Sequence, residues 1–195
     1  MKIAVLSDIH ENFHNIIATL EECQKLDVEQ ILFLGDFMNA GIAKILAASS
    51  IPVFAIRWNN DGDKVTITKT SLAPWSNMKI GFDTFDSLVL DEKRIFLTHY
   101  PMLAKPMAKS WDFDAVFYGH DHKYNIDKIG DCFIVNPGEV SAHKFGKCSF
   151  ALYDTITNTV EIIFVENTLS LHSEKMDEHL NSIGMNLSWG KSHKY

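Results

Sequence analysis

"KIAVLSDIHENFHNIIATLEECQKLDVEQILFLGD", Lys2–Asp36, is the stretch whose reading decides the fold. Lys2 to Leu6 is a short apolar run rich in strand formers. Phe13 to Leu26 carries Ile16, Ile17, Leu20 and Cys23 at helical spacing, and Gln30 to Leu34 returns to apolar, strand-prone residues. Beyond it, Ile42 to Ala48 reads as a short helix after Gly41, and Pro52 to Ile56 as a third strand. Strand, helix, strand, helix, strand predicts a parallel sheet with helices packed against it.

The later half changes character. Phe85–Leu90, Arg94–Thr98, Ala115–Tyr118, Tyr124–Ile129, Cys132–Val135, Ser149–Tyr153 and Val160–Val165 are short strand candidates, and several are separated by turn residues such as Gly130–Asp131 and Thr157–Asn158. That spacing predicts hairpins and a second sheet. Lys64 to Ile80 shows no readable period. Nothing resembles a linker or repeat, so a single domain over 1–166 is expected. From Asn167 the chain is polar with Leu171, Met176, Leu180 and Ile183 spaced along it, which predicts a C-terminal extension, 167–195, helical or loosely docked.

Composition narrows the class. The chain has 195 residues, 46% hydrophobic and 22% charged, as in an ordinary globular protein. A net charge of −7 argues against gripping a long nucleic acid, which requires a basic face. It leaves phosphate substrates open, because a bound metal supplies local positive charge. No apolar run reaches the ~18 residues of a membrane span, and the start gives no sign of a signal peptide. Three separated cysteines, Cys23, Cys132 and Cys148, suggest no disulfide framework, and a reducing cytoplasm is expected. Homo-oligomerisation is left open.

Metal-ligand residue types recur just after the expected strands: Asp8 and His10, Asp36, Asn59, His99, and His120 with His122. In extended chain, residues two apart share a face, so Asp8 with His10, and His120 with His122, are expected each to converge on one point. Carboxylate, imidazole and amide oxygen together suit manganese, iron, cobalt, nickel or zinc. Seven ligands exceed one tetrahedral centre and suit two ions sharing a carboxylate. Each residue alone has a bland reading as a turn, cap or packed residue; the recurrence at strand ends is what argues for metal.

In order, "SDIH", "LGD", "NND", "THYP" and "GHDH" resemble the calcineurin-like metallophosphoesterases, most closely their small bacterial and archaeal phosphodiesterase branch, over Lys2 to about Glu166. "NPGEV", Asn136–Val140, fits a further turn of that family. The resemblance implies an α/β fold, a two-sheet β-sandwich flanked by helices in four α/β/β/α layers, with a dinuclear site at the strand ends. It implies one metal on Asp8, His10 and His122, another on Asn59, His99 and His120, and Asp36 bridging. Asp36, Asn59 and His99 are the implied catalytic members. Two divalent ions, manganese first among them, would hold a water or hydroxide that attacks phosphorus. The implied function is a metal-dependent phosphohydrolase, a phosphodiesterase before a phosphomonoesterase or nucleotide pyrophosphohydrolase, acting on a small phosphoester or nucleotide-like substrate. The alternative from another class is a protein-interaction scaffold, as this fold serves in the retromer complex.

Three positions depart from the family pattern. Glu11 stands where Gly usually follows the first histidine; it reads as a solvated residue at a helix start, with a charge facing the site as the alternative. Trp58 stands where Gly usually precedes the ligand Asn. Asn60 stands where the wider family often has a proton-donating His, and an amide cannot act as a general acid. Candidate substrate contacts are Asn12, Trp58, Asn60, Asp61 and His143, with Lys144 and Lys147 nearby. Asp121, between two ligands, is expected to orient a metal-bound histidine.

Overall fold

The computed structural model describes residues 1–57, 61–81, 83–170 and 174–184. Trp58, Asn59 and Asn60 lie outside them. The elements run β1 (Lys2–Leu6), α1 (Phe13–Lys25), β2 (Gln30–Phe33), α2 (Ala40–Ala47), β3 (Val53–Ala55), α3 (Lys64–Ser71), β4 (Met78–Ile80), β5 (Phe85–Leu90), β6 (Lys93–Thr98), α4 (Pro101–Lys109), β7 (Ala115–Phe117), β8 (Asn125–Ile129), β9 (Cys132–Asn136), β10 (Ser149–Asp154), β11 (Thr159–Phe164) and α5 (Glu174–Ser182).

One sheet has the order β11-β10-β1-β2-β3-β4 and the other β5-β6-β7-β9-β8. In the first, β1, β2, β3 and β4 are parallel neighbours and β10 pairs antiparallel to β1, with Lys2 opposite Asp154. β1 reads as an unbroken apolar run because both its faces are covered. Ala4 and Leu6 join Ile31 and Phe33 in the core beneath α1 and α2. Ile3 and Val5 face the other way, into an inter-sheet core with Ile95, Leu97, Phe117, Val135 and Tyr153. The far side of the second sheet, with Phe96, Val116 and Ile134, packs on Ala104 and Ala108 of α4. These three apolar layers make the four-layer α/β/β/α sandwich. No helix among the described residues is long and apolar enough to cross a membrane.

Three features differ from expectation. The β10–β11 hairpin completes the first sheet rather than the second, since β10 finds its partner in β1, at the other end of the chain. The unread segment holds α3 and β4; α3 is rich in threonine and blurs the helical period, yet is capped by Asp63, which accepts from the Thr66 N–H at 3.0 Å. Helix α4 lies where no element was read from the sequence; Pro106 sits inside it, and Pro101 at its first turn suits a helix start. Past residue 166, the chain is still held to α1: Leu169 donates its N–H to Asn15 Oδ1 at 2.8 Å and accepts from Asn12 Nδ2 at 2.7 Å.

Candidate metal centre

The loops leaving β1, β2, β6 and β7 meet at one end of the sandwich. The first two come from one sheet and the last two from the other, so the site sits across the mouth of the inter-sheet core. Asp8 and His99 are fully buried there, Asp36 nearly so, and His10 and His122 are partly exposed.

The convergence does not follow strand alternation. Asp8 (φ 56°), His10 (φ 42°), Asp36 (φ 65°), His120 (φ 77°) and His122 (φ 65°) all adopt the left-handed backbone. Each such residue costs of order 1–3 kcal/mol, and such strain concentrates at functional sites. Asp8 and His10 do converge, with Asp8 Oδ1 3.7 Å from His10 Nε2. His120 and His122 part: the His122 ring stacks on His10 at 4.8 Å between centroids, while His120 meets His99 edge-on at 5.3 Å.

Two groups of donor atoms close enough to share an ion result, Asp8–His10–His122 and Asp8–Asp36–His99. Asp36 Oδ2 lies 3.4 Å from His10 Nε2 and 3.8 Å from His99 Nε2, so it reaches toward both groups. The histidine tautomers suit a cation. His99 Nδ1 donates to the Leu34 carbonyl at 2.8 Å, and His122 Nδ1 donates to Glu139 Oε2 at 2.7 Å. Both rings therefore turn an Nε2 lone pair toward the carboxylates. Burial pushes His99 down to about 4, against the pull of Asp8, so it is neutral at physiological pH. Burial also disfavours charge on Asp8, but His10, His99 and His122 hold its carboxyl below the ordinary value. His10 is raised: burial works against its charge, and Asp8, Asp36 and Glu139 outweigh it.

Buried carboxylates without a countercharge are costly. Among the described residues, Asp8 Oδ1 is buried with no hydrogen-bond partner; its nearest histidine nitrogens stand at 3.5 to 3.8 Å, too far for a good hydrogen bond. An acceptor-only oxygen facing several imidazole lone pairs fits a divalent cation.

The candidate substrate contacts fare differently. Asn12 caps α1, accepting from Asn15 N–H at 3.0 Å, and both described Nδ2 bonds go to carbonyls, of Ser141 and Leu169. Asp61 is buried and accepts the Phe37 N–H at 3.1 Å, bracing the Asp36 loop. The structure gives both these side chains work inside the protein. His143 is half-buried in the loop after Glu139. Glu11 is exposed, precedes the Asn12 cap, and accepts from Asn39 Nδ2 at 3.3 Å. Its φ of 62° explains the family's glycine at that position. Asp121 accepts from Asn136 Nδ2 instead of from a histidine. The carboxylate that meets a candidate histidine ligand is that of Glu139. The only sequence signal for it was its place in "NPGEV".

A family model described as the calcineurin-like phosphoesterase superfamily domain matches residues 1–158. The chain belongs to this superfamily. Calcineurin-like phosphoesterases depend on metal ions, and the two donor groups are this member's candidate ligands. It is 29% identical over 157 residues to phosphodiesterase MJ0936 of Methanocaldococcus jannaschii, covering 80% of this chain and 93% of that one. It is 27% identical over 187 residues to phosphodiesterase YfcE of Escherichia coli K12, covering 88% and 95%. The solved structure of an archaeal phosphodiesterase superposes with a TM-score of 0.77 at 27% identity, covering 85% of this chain and all of that one.

Proposed function

We propose that this calcineurin-like phosphoesterase is a phosphodiesterase that uses two divalent ions, manganese foremost, with iron, nickel, cobalt or zinc as alternatives. One observation carries the reading: Asp8 and Asp36, both buried, are faced by the Nε2 lone pairs of His99 and His122, whose tautomers are fixed by Leu34 and Glu139. Asp8, His10 and His122 would hold one ion. His99 and His120 would hold the other, with Asn59 assigned on the family resemblance. Asp36 would bridge, supported by its reach toward both His10 and His99.

Ions there would lower the pKa of a bound water and neutralise phosphate oxygens. The chain's own residues prepare that chemistry. The Leu34 carbonyl keeps His99 aimed, and burial keeps it neutral. The inter-sheet core keeps water from the buried side of the carboxylates, which strengthens their field. The phosphodiesterase names of MJ0936 and YfcE support a small diester as substrate. The net charge of −7 weighs against long nucleic acid. A reducing cytoplasm is the proposed setting, supported by three buried free thiols.

The test is hydrolysis of bis(p-nitrophenyl) phosphate and p-nitrophenyl phosphate by the full chain with Mn²⁺. The diester should be turned over faster, and Asp36→Asn should lower the rate by roughly 10²-fold or more. A faster monoester would favour the phosphomonoesterase reading. No turnover of either would favour a scaffold.

A further inference from the structure

We infer that Glu139 is a positioning residue: it fixes the His122 proton on Nδ1 and so holds the ligating lone pair on Nε2. The inference deepens the two-ion reading and rests on it.

Glu139 is 1% exposed and is surrounded by donors. Its Oε1 accepts the backbone N–H groups of Phe145 at 2.7 Å and Lys144 at 2.9 Å. Its Oε2 accepts Ser141 Oγ–H at 2.8 Å and His122 Nδ1–H at 2.7 Å. Burial alone would raise its pKa, but His122, the Phe145 N–H and Ser141 hold it below the ordinary value. A carboxylate only accepts, so the ring nitrogen must donate. The opposite tautomer would set a lone pair against a buried anion at hydrogen-bond distance. The carboxylate cannot swing aside to accommodate it. Its own backbone carbonyl accepts the Ser149 N–H at 3.0 Å, and the next two N–H groups, of Val140 and Ser141, are tied to the Ser7 and Asp8 carbonyls. The His122 Nε2 lone pair is thereby held toward Asp8 Oδ1, 3.5 Å away, and His10 Nε2, 3.2 Å away.

This arrangement makes an unusual prediction about the mildest-looking substitution. In Glu139→Gln, the Phe145 and Lys144 N–H groups can only donate, so they retain the amide oxygen. The amide nitrogen then faces His122 and donates to Nδ1, which moves the ring proton to Nε2 and blocks the ligating position. Glu139→Ala leaves Nδ1 to water and allows either tautomer. Mn²⁺ affinity at the His10–His122 site should therefore fall in the order wild type, Ala variant, Gln variant, with the Gln variant about 10–100-fold weaker than wild type. A purely structural role for the carboxylate would make Gln, which keeps the shape, the milder change.

The decisive readout is ¹⁵N–¹H NMR of the histidine rings in the metal-free full chain, at alkaline pH where imidazole is neutral. His122 should carry its proton on Nδ1 in wild type and on Nε2 in Glu139→Gln, with calorimetric Mn²⁺ titrations following the order above. A wild-type Nε2 proton overturns the inference without need of any variant. So does an unchanged tautomer in Glu139→Gln, or a Gln variant that binds Mn²⁺ more tightly than the Ala variant. If wild type binds no Mn²⁺ at all, the two-ion reading fails, while the ring spectra still decide the role of Glu139.

Discussion

At the scale of single residues, the site is built from backbone that most side chains avoid. Asp8, His10, Asp36, His120 and His122 all have positive φ, and Glu11 beside them joins at 62°. Asp8, His10, Asp36 and His122 have a reason to bear the strain, because their donor atoms come together there, while His120 is exposed and touches the His99 ring. Glu11 is exposed, and its carboxylate accepts a 3.3 Å hydrogen bond from Asn39 Nδ2. Replacing it by Gly removes the Cβ penalty of left-handed backbone, and Glu11→Gly should raise folding stability by about 1 kcal/mol. Urea unfolding of the two proteins checks this; a fall in stability would mean that the Asn39 contact outweighs the backbone strain. Residue types were legible here where conformations were not. "SDIH" and "GHDH" announced candidate ligands, but the assumption of extended chain misplaced His120 and His122, which turn toward different partners. Glu139 was illegible for a different reason. Its contact with His122 spans 17 residues and a hairpin, and no local pattern encodes it.

At the scale of elements, the fold works by bringing strand ends from two sheets within touching distance. The loops after β1 and β7 come close where Gly119 follows β7. A Cβ built there would stand 2.1 Å from Ser7 Oγ and 3.1 Å from Asp8 Oδ2, the oxygen that accepts the His120 N–H at 3.1 Å. Only a residue without a side chain lets the two loops approach so closely. Gly119→Ala should destabilise the protein by roughly 1–3 kcal/mol through overpacking, and should also weaken ion binding by displacing Asp8. Denaturation and Mn²⁺ titration together read both effects; wild-type values for both would show that the loops have slack. The strands themselves were readable because burial on two faces leaves continuous apolar runs. Helices α3 and α4 were hidden by threonines in one and by Pro106 in the other. Both depend on tertiary packing more than on local propensity.

For the molecule as a whole, the four layers form one frame around one mouth. The sequence announced the parallel half, since β1, β2 and β3 follow each other through helices. It did not announce that β10 returns to pair with β1, because that contact joins the two ends of the chain and depends on neither turn nor period. The frame matters to function because Asp36 arrives from one sheet and His99 from the other. The two are held together by Leu34, whose carbonyl accepts the His99 Nδ1–H and whose own N–H donates to the Leu6 carbonyl at 2.9 Å. The central claim is that this frame exists to hold two cations between buried carboxylates. Anomalous diffraction at the manganese edge from crystals of the Mn²⁺-loaded full chain tests it most directly. Two peaks about 3.5–4 Å apart are expected, one among Asp8, His10 and His122 and one beside His99 and His120, with Asp36 between them. A single peak, or none at these residues, would contradict it.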